Sequence, residues 1–249
     1  MKQTFSGPRQ LDRVHNCNRL RQRFLATFLL SVLAASNSMA QSFNIDLEIG
    51  VGGPEVGAGT PDSGFAGAAG VSGFWNGVRA NGPAIPAVLF DIHGQTTSAT
   101  VWVTGGFGSA GGFNNSSVSG DYRLLMSDFA DIGLPVTYHF AGLLPGSYRI
   151  YTYAVDPASQ ITRDVLVTLP TAEEADMHVN GILNGNVFTQ GITHSIHDLD
   201  LSGSNFELTV SGPEHHTRCN GFQIVSVPEP LPVIALSGSL IYLFKGNRS

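Results

Sequence analysis

The sequence predicts a mainly β fold, an antiparallel β-sandwich set between two apolar termini. Three observations predict it. From residue 41 to 226, apolar and polar residues alternate in short runs, and no long helical period is present. Turn formers punctuate those runs: Gly50–Gly82 holds 11 glycines and Gly105–Gly112 holds five, a density that disfavours helix. Each end of the chain carries a short greasy stretch beside basic residues.

At the N-terminus, Arg19, Arg21 and Arg23 precede an apolar core, Phe24–Ala35, and the small residues Ser38-Met39-Ala40 follow. This is the pattern of a signal peptide over 1–40, cut by signal peptidase between Ala40 and Gln41. The apolar core is too short for a helix that spans a bilayer, which needs about 20 residues.

The exported part, 41–226, has the length of one domain. It contains five arginines, no lysine and 17 carboxylates, a formal charge of −12. Such a surface repels phosphate backbones, so nucleic acid is excluded as a partner. Cys219 is the only cysteine in this part. No internal disulfide can form, and Cys219 reads as a small buried apolar residue.

The strands follow in order. Phe43, Ile45, Leu47 and Ile49 alternate with Asn44, Asp46 and Glu48, predicting a half-buried first strand. Ala87–Ile92 and Thr100–Thr104 come next. Gly120–Phe129 is open between strand and a short helical turn. Val136, Tyr138 and Phe140 share a strand face, Gly142–Gly146 turns the chain through Pro145-Gly146, and Ser147–Val155 returns, predicting a hairpin. Arg163–Leu169, Ala175–Val179, Ser195–Leu201, Asn205–Ser211 and Gly221–Val227 complete the set. Nine or ten such strands imply two stacked antiparallel sheets of jelly-roll type.

The C-terminal tail is residues 227–249. Val227-Pro228-Glu229-Pro230 leads into an apolar run, Leu231–Phe244, then Lys245 and Arg248. As a helix the run measures about 21 Å against a hydrocarbon core of about 30 Å, a marginal span. Lys245 and Arg248 would stay inside as the membrane stop. This arrangement resembles the PEP-CTERM sorting signal of exported bacterial proteins. The resemblance implies an exosortase-type processing enzyme that reads Val227, Pro228, Glu229 and Pro230, a C-terminal transmembrane helix, and delivery to the cell envelope, outer surface or extracellular matrix. One departure stands out: the family's tails end in a tight arginine cluster, and this one does not.

A second resemblance covers residues 134–226. Phe140–Pro157, Met177-His178-Val179-Asn180-Gly181 and Asn220-Gly221-Phe222-Gln223-Ile224-Val225 resemble the hairpin, strand-and-turn and closing strand of galactose-binding-like sandwiches, the malectin-like and carbohydrate-binding jelly rolls. These motifs specify a fold more than an activity.

Sugars stack their apolar faces on aromatic rings. The candidate ligand residues are therefore Trp75 and Asn76, an indole beside an amide in a glycine-rich stretch, and Tyr151 and Tyr153, which share one strand face. Trp102, between Val101 and Val103, reads as core packing. His194 and His197 stand at i, i+3 on a strand and so point to opposite faces, which does not make a zinc pair. No metal or other cofactor is assigned, although the carboxylates Asp156, Asp164, Glu173, Glu174 and Asp176 leave room for a structural calcium. The sequence shows no nucleophile elbow, zinc-protease motif or P-loop, so no catalytic residue is assigned and the protein reads as a non-enzyme. The first expectation is a non-catalytic structural or adhesive surface protein. The alternatives are a module that binds extracellular polysaccharide and a glycan-active hydrolase.

Overall fold

The structure is a computed structural model that describes residues 41–48, 59–80, 86–105, 109–112, 115–132, 134–156, 163–212 and 217–228. The expected signal peptide (1–40), Glu229-Pro230, the apolar run 231–244 and the membrane stop Lys245/Arg248 lie outside these residues. Gln41 and the exposed Val227-Pro228 lie within them. Among the described residues, no helix is long and apolar enough to cross a membrane.

Two sheets face each other. The first, sheet A, has five strands: β1 (Phe43–Glu48), β2 (Trp75–Arg79), β8 (Gly146–Tyr153), β11 (His194–Leu201) and β14 (Gly221–Ser226), ordered β11-β8-β14-β1-β2. The second, sheet B, has six: β3 (Ala87–Phe90), β4 (Thr96–Gly105), β7 (Val136–Ala141), β9 (Arg163–Thr168), β10 (Asp176–Gly181) and β12 (Phe206–Ser211), ordered β10-β9-β12-β7-β4-β3. A small third sheet joins β5 (Ser109–Gly112), β6 (Asp128–Ile132) and β13 (Thr217–Cys219). The stretch left open by the sequence is a helix, α1 (Gly120–Ser127), running directly into β6. Pairing in the two main sheets is antiparallel except for β1 with β2, which is parallel.

The core is what the alternation demands. Phe43, Ile45 and Leu47 from β1, Phe222 and Ile224 from β14, and Tyr148 and Ile150 from β8 meet Tyr138 and Phe140 from β7, and Val165, Val167, Leu208 and Val210, across the gap. Tyr138 and Phe140 pack on Phe222 with ring centroids 4.7 and 5.4 Å apart. Cys219 is fully buried, beside the Tyr138 hydroxyl, and burial pushes its thiol pKa up to about 12.

Three expectations change. The Val136–Val155 hairpin is an arch: β7 pairs with β4 and β12, while β8 pairs with β11 and β14. Both strands present an apolar face to the same core from opposite sheets, a pattern that alternation alone cannot distinguish from a hairpin. The turn holds Leu143 at 2% exposure as a plug. At its start Gly142 adopts φ +74, and a Cβ there would strike the Ser98 carbonyl, so only glycine fits. The second change is β1, which is buried on both faces rather than one. The third is Trp75–Arg79, expected as loop, which forms β2.

The second burial of β1 sets the architecture. Residues 59–74 and α1 lie over the outer side of sheet A and add a second core of Trp75, Tyr122, Leu125, Met126, Tyr153 and Val155, packed by Phe65 and Phe188. Sheet B has no such cover among the described residues. Its outward positions on β4, β7 and β12 are half-buried or exposed throughout.

Candidate functional site

The four residues expected to bind a ligand are placed unequally. Trp75 is 3% exposed; its indole N–H donates to the Phe65 carbonyl at 3.1 Å, and the Phe65 ring lies 5.7 Å away. Asn76 is buried as a clamp. Its amide donates to the carbonyls of Asn44 (3.0 Å) and Phe90 (2.8 Å), and its oxygen accepts the Phe90 N–H at 2.8 Å. Tyr153 is fully buried. Its hydroxyl accepts the Ala68 N–H at 2.7 Å and donates to Gln223 Oε1 at 2.5 Å. None of these three offers a surface to a ligand. Tyr151 alone is half-buried, on the outer side of β8, with its ring 5.9 Å from His194.

Gln223 explains why that surface is closed. Besides accepting from Tyr153 and the Ala69 N–H (3.0 Å), it donates to Asn44 Oδ1 at 2.8 Å, the Ala66 carbonyl at 3.1 Å and the Val71 carbonyl at 3.3 Å. One amide thus pins residues 66–71 to the sheet. Such a buried network is costly to break because each orphaned group pays its desolvation.

The histidine pair lies on opposite strand sides, as spacing i, i+3 requires. His194 faces outward opposite Tyr153 and His197 faces the core opposite Ile150. Burial lowers the pKa of both, that of His194 to about 4. Asp46 is a sealed acid. Its cross-strand neighbours are Gly77 and Gly221, and burial, then repulsion from Asp128 and Glu48, raises its pKa well above the usual range, against a smaller opposing effect of the Leu47 backbone N–H. Among the described residues, no group of three or more His, Cys, Asp or Glu has the geometry to hold a metal ion. Two open clefts of about 320 and 350 Å³ flank β11. Asp200 lines both, and no aromatic residue lines either.

The outer side of sheet B carries what the expected residues lack. Trp102 on β4 is half-buried and directly opposite His139 on β7. Their rings stack at 5.0 Å with planes 9° apart. His139 is fixed at both nitrogens: Nε2 lies 2.6 Å from Thr104 Oγ1, and Nδ1 lies 2.9 Å from Glu207 Oε1. A neutral imidazole with its proton on Nδ1 satisfies both, donating to the carboxylate and accepting the threonine O–H. Thr137 and Thr209 hydroxyls pair at 2.9 Å beside it. Toward the β3 edge the same side exposes Val88 (52%), Phe90 (37%) and Phe74 (41%), the two phenyl rings 5.4 Å apart. Trp102 and His139 thus form a stacked ring pair bordered by hydroxyls, and the Phe90–Phe74 pair lies level with Thr96, six residues along β4. Trp102, expected in the core, lies instead on the solvent side, because it shares its side of β4 with Thr100 and Thr104, not with Val101; that parity was the signal.

No family model matches the chain, and no curated protein matches it. Solved structures with partial likeness include a family 35 carbohydrate-binding module from Cellvibrio japonicus (TM-score 0.28, 16% identity, 51% of this chain and 94% of that one). Another is a family 35 module in complex with a glucuronic acid-containing disaccharide (TM-score 0.29, 16% identity, 50% of this chain and 90% of that one). A third is an exo-β-1,3-galactanase from Phanerochaete chrysosporium (TM-score 0.29, 16% identity, 52% of this chain and 30% of that one). This chain also spans 14% of a GH115 4-O-methyl-α-glucuronidase (TM-score 0.28, 14% identity, 41% of this chain). With likeness this slight, the functional reading rests on the residues of this chain.

Proposed function

We propose that residues 41–226 form a non-catalytic carbohydrate-binding module, built on a jelly-roll-type sandwich, whose contact surface is the open side of sheet B. The observation that carries this is Trp102, half-buried on the solvent side of a sheet and held parallel to His139. An indole so placed gives a sugar ring an apolar wall that needs no rearrangement. His139, Glu207 and the threonines around it supply hydrogen-bond donors and acceptors.

Affinity electrophoresis and calorimetry against a panel of soluble polysaccharides test the proposal. Trp102→Ala is expected to weaken binding of the recognised polymer at least tenfold while costing only about 1 kcal/mol of stability, the worth of a cross-strand ring pair. Absence of saturable binding by any polymer would favour the structural or adhesive reading. Turnover of a bound polymer would favour the hydrolase reading.

The same proposal includes the route of the protein. The module would be exported by the 1–40 signal peptide. Its tail, Val227-Pro228-Glu229-Pro230 with Leu231–Phe244, Lys245 and Arg248, would hold it in the membrane until an exosortase-type enzyme acts. Mass spectrometry of the mature protein should find Gln41 first and the tail removed. A released protein with Ser249 intact would overturn the sorting role.

A further inference from the structure

Resting on the carbohydrate reading, we propose that the ligand is a glycan free of carboxylate and sulfate groups. Among the described residues, the open side of sheet B is an acidic surface with no fixed cation. Its ionisable residues are Glu207 on β12, Asp164 on β9 and Asp176 on β10, with His139 on β7 and His178 on β10. Each carboxylate is already engaged on that side: Glu207 with His139 at 2.9 Å, Asp164 with His178 Nδ1 at 2.8 Å, and Asp176 with the Thr168 hydroxyl at 2.7 Å. These contacts fix the acids in place along the surface.

The five arginines of residues 41–226 all lie elsewhere. Arg149 is on the outer side of β8, bidentate to Asp198 at 2.7 and 3.1 Å. Arg163 has the parity of the core-facing residues of β9 and binds Asp156 at 2.7 Å. Arg218 approaches the same carboxylate at 3.4 Å and covers the Phe129 ring. Arg79 is on β2 in sheet A, and Arg123 is in α1. A uronate stacked on Trp102 would bring its charge toward the Glu207 carboxylate, next in the same row across β7, and meet no guanidinium or ammonium among the described residues of that side. Recognition of a carboxylate or sulfate ordinarily uses Arg or Lys. Neutral hydroxyls meet no such penalty, and the carboxylates and threonines can accept and donate to them.

The test compares polygalacturonate with its carboxyl-reduced form, alongside neutral β-glucans and galactans, at low and high salt. The proposal expects the polymers bound through Trp102 to be neutral, and polygalacturonate to bind at least tenfold more weakly than its carboxyl-reduced form. Glu207→Gln should narrow that gap severalfold, as should raising salt so that the screening length falls below about 5 Å. The amide oxygen that Glu207→Gln introduces can still accept from His139, and the variant's own binding of the carboxyl-reduced polymer is the reference for its gap. Uronate binding as tight as neutral binding, and lost in Trp102→Ala, overturns this inference and leaves the carbohydrate reading standing. No binding by any polymer overturns both.

Discussion

Trp75 and Trp102 differ in what lies over each ring. Both sit on strands, and the sequence favoured Trp75 because an amide follows it. The structure covers Trp75 with Phe65 and seals it to 3% exposure, while Trp102 keeps an edge in solvent. Trp75→Ala should therefore act on stability, costing about 3–5 kcal/mol as large-to-small core changes do. A urea melt checks this, and a variant within about 0.5 kcal/mol of the parent, the scale of an ordinary surface change, would contradict the burial. Parity was readable in the residues around Trp102. The cover over Trp75 was not, because it is made by residues 59–74 folding back onto Gln223, which lies 154 positions beyond Ala69 in the chain.

At the scale of elements, period-2 alternation located most strands but not their partners. It marked β7 and β8 correctly and paired them wrongly, since an arch and a hairpin bury the same faces. It read β1 as one-sided because Asn44, Asp46 and Glu48 are polar, although Asn44 is bound by Gln223 and all three are buried. β2 was hidden in a stretch whose glycines looked like loop. One of those glycines decides the cover. Gly67 adopts φ +57, and a Cβ there would collide with Gln223 Oε1. Gly67→Ala should cost at least about 1 kcal/mol from the left-handed backbone alone, plus the displaced amide. Because the Ala68 and Ala69 N–H groups bond to Tyr153 and Gln223, their hydrogen exchange should quicken more than that of sheet B amides. Uniform protection across both sheets would show that the segment is not pinned there.

For the whole molecule, two sets of buried titratable groups oppose each other as pH falls. His194, with a pKa of about 4 in the folded state against 6.5 when unfolded, and His197, lowered for the same reason, resist protons that the unfolded chain takes up. Their contribution is complete above pH 6.5 and is lost as pH falls toward 4, at up to about 1.4 kcal/mol per pH unit per proton. Asp46 acts in the other direction. Its raised pKa means that the folded state holds a proton the unfolded chain releases, so acidification toward 3.8 adds stability. The parent protein should thus show a shallower stability loss between pH 6.5 and 4 than the histidines alone would give, because Asp46 opposes them. His194→Gln should gain relative to the parent as pH drops below 6.5. Asp46→Asn should gain relative to the parent as pH rises above 3.8, because it removes the ionisation that burial, Asp128 and Glu48 oppose, and should lose that advantage on acidification. Denaturant melts across that range read both slopes. If Asp46→Asn is instead most harmful at the alkaline end, the buried carboxylate is serving the fold in its charged form.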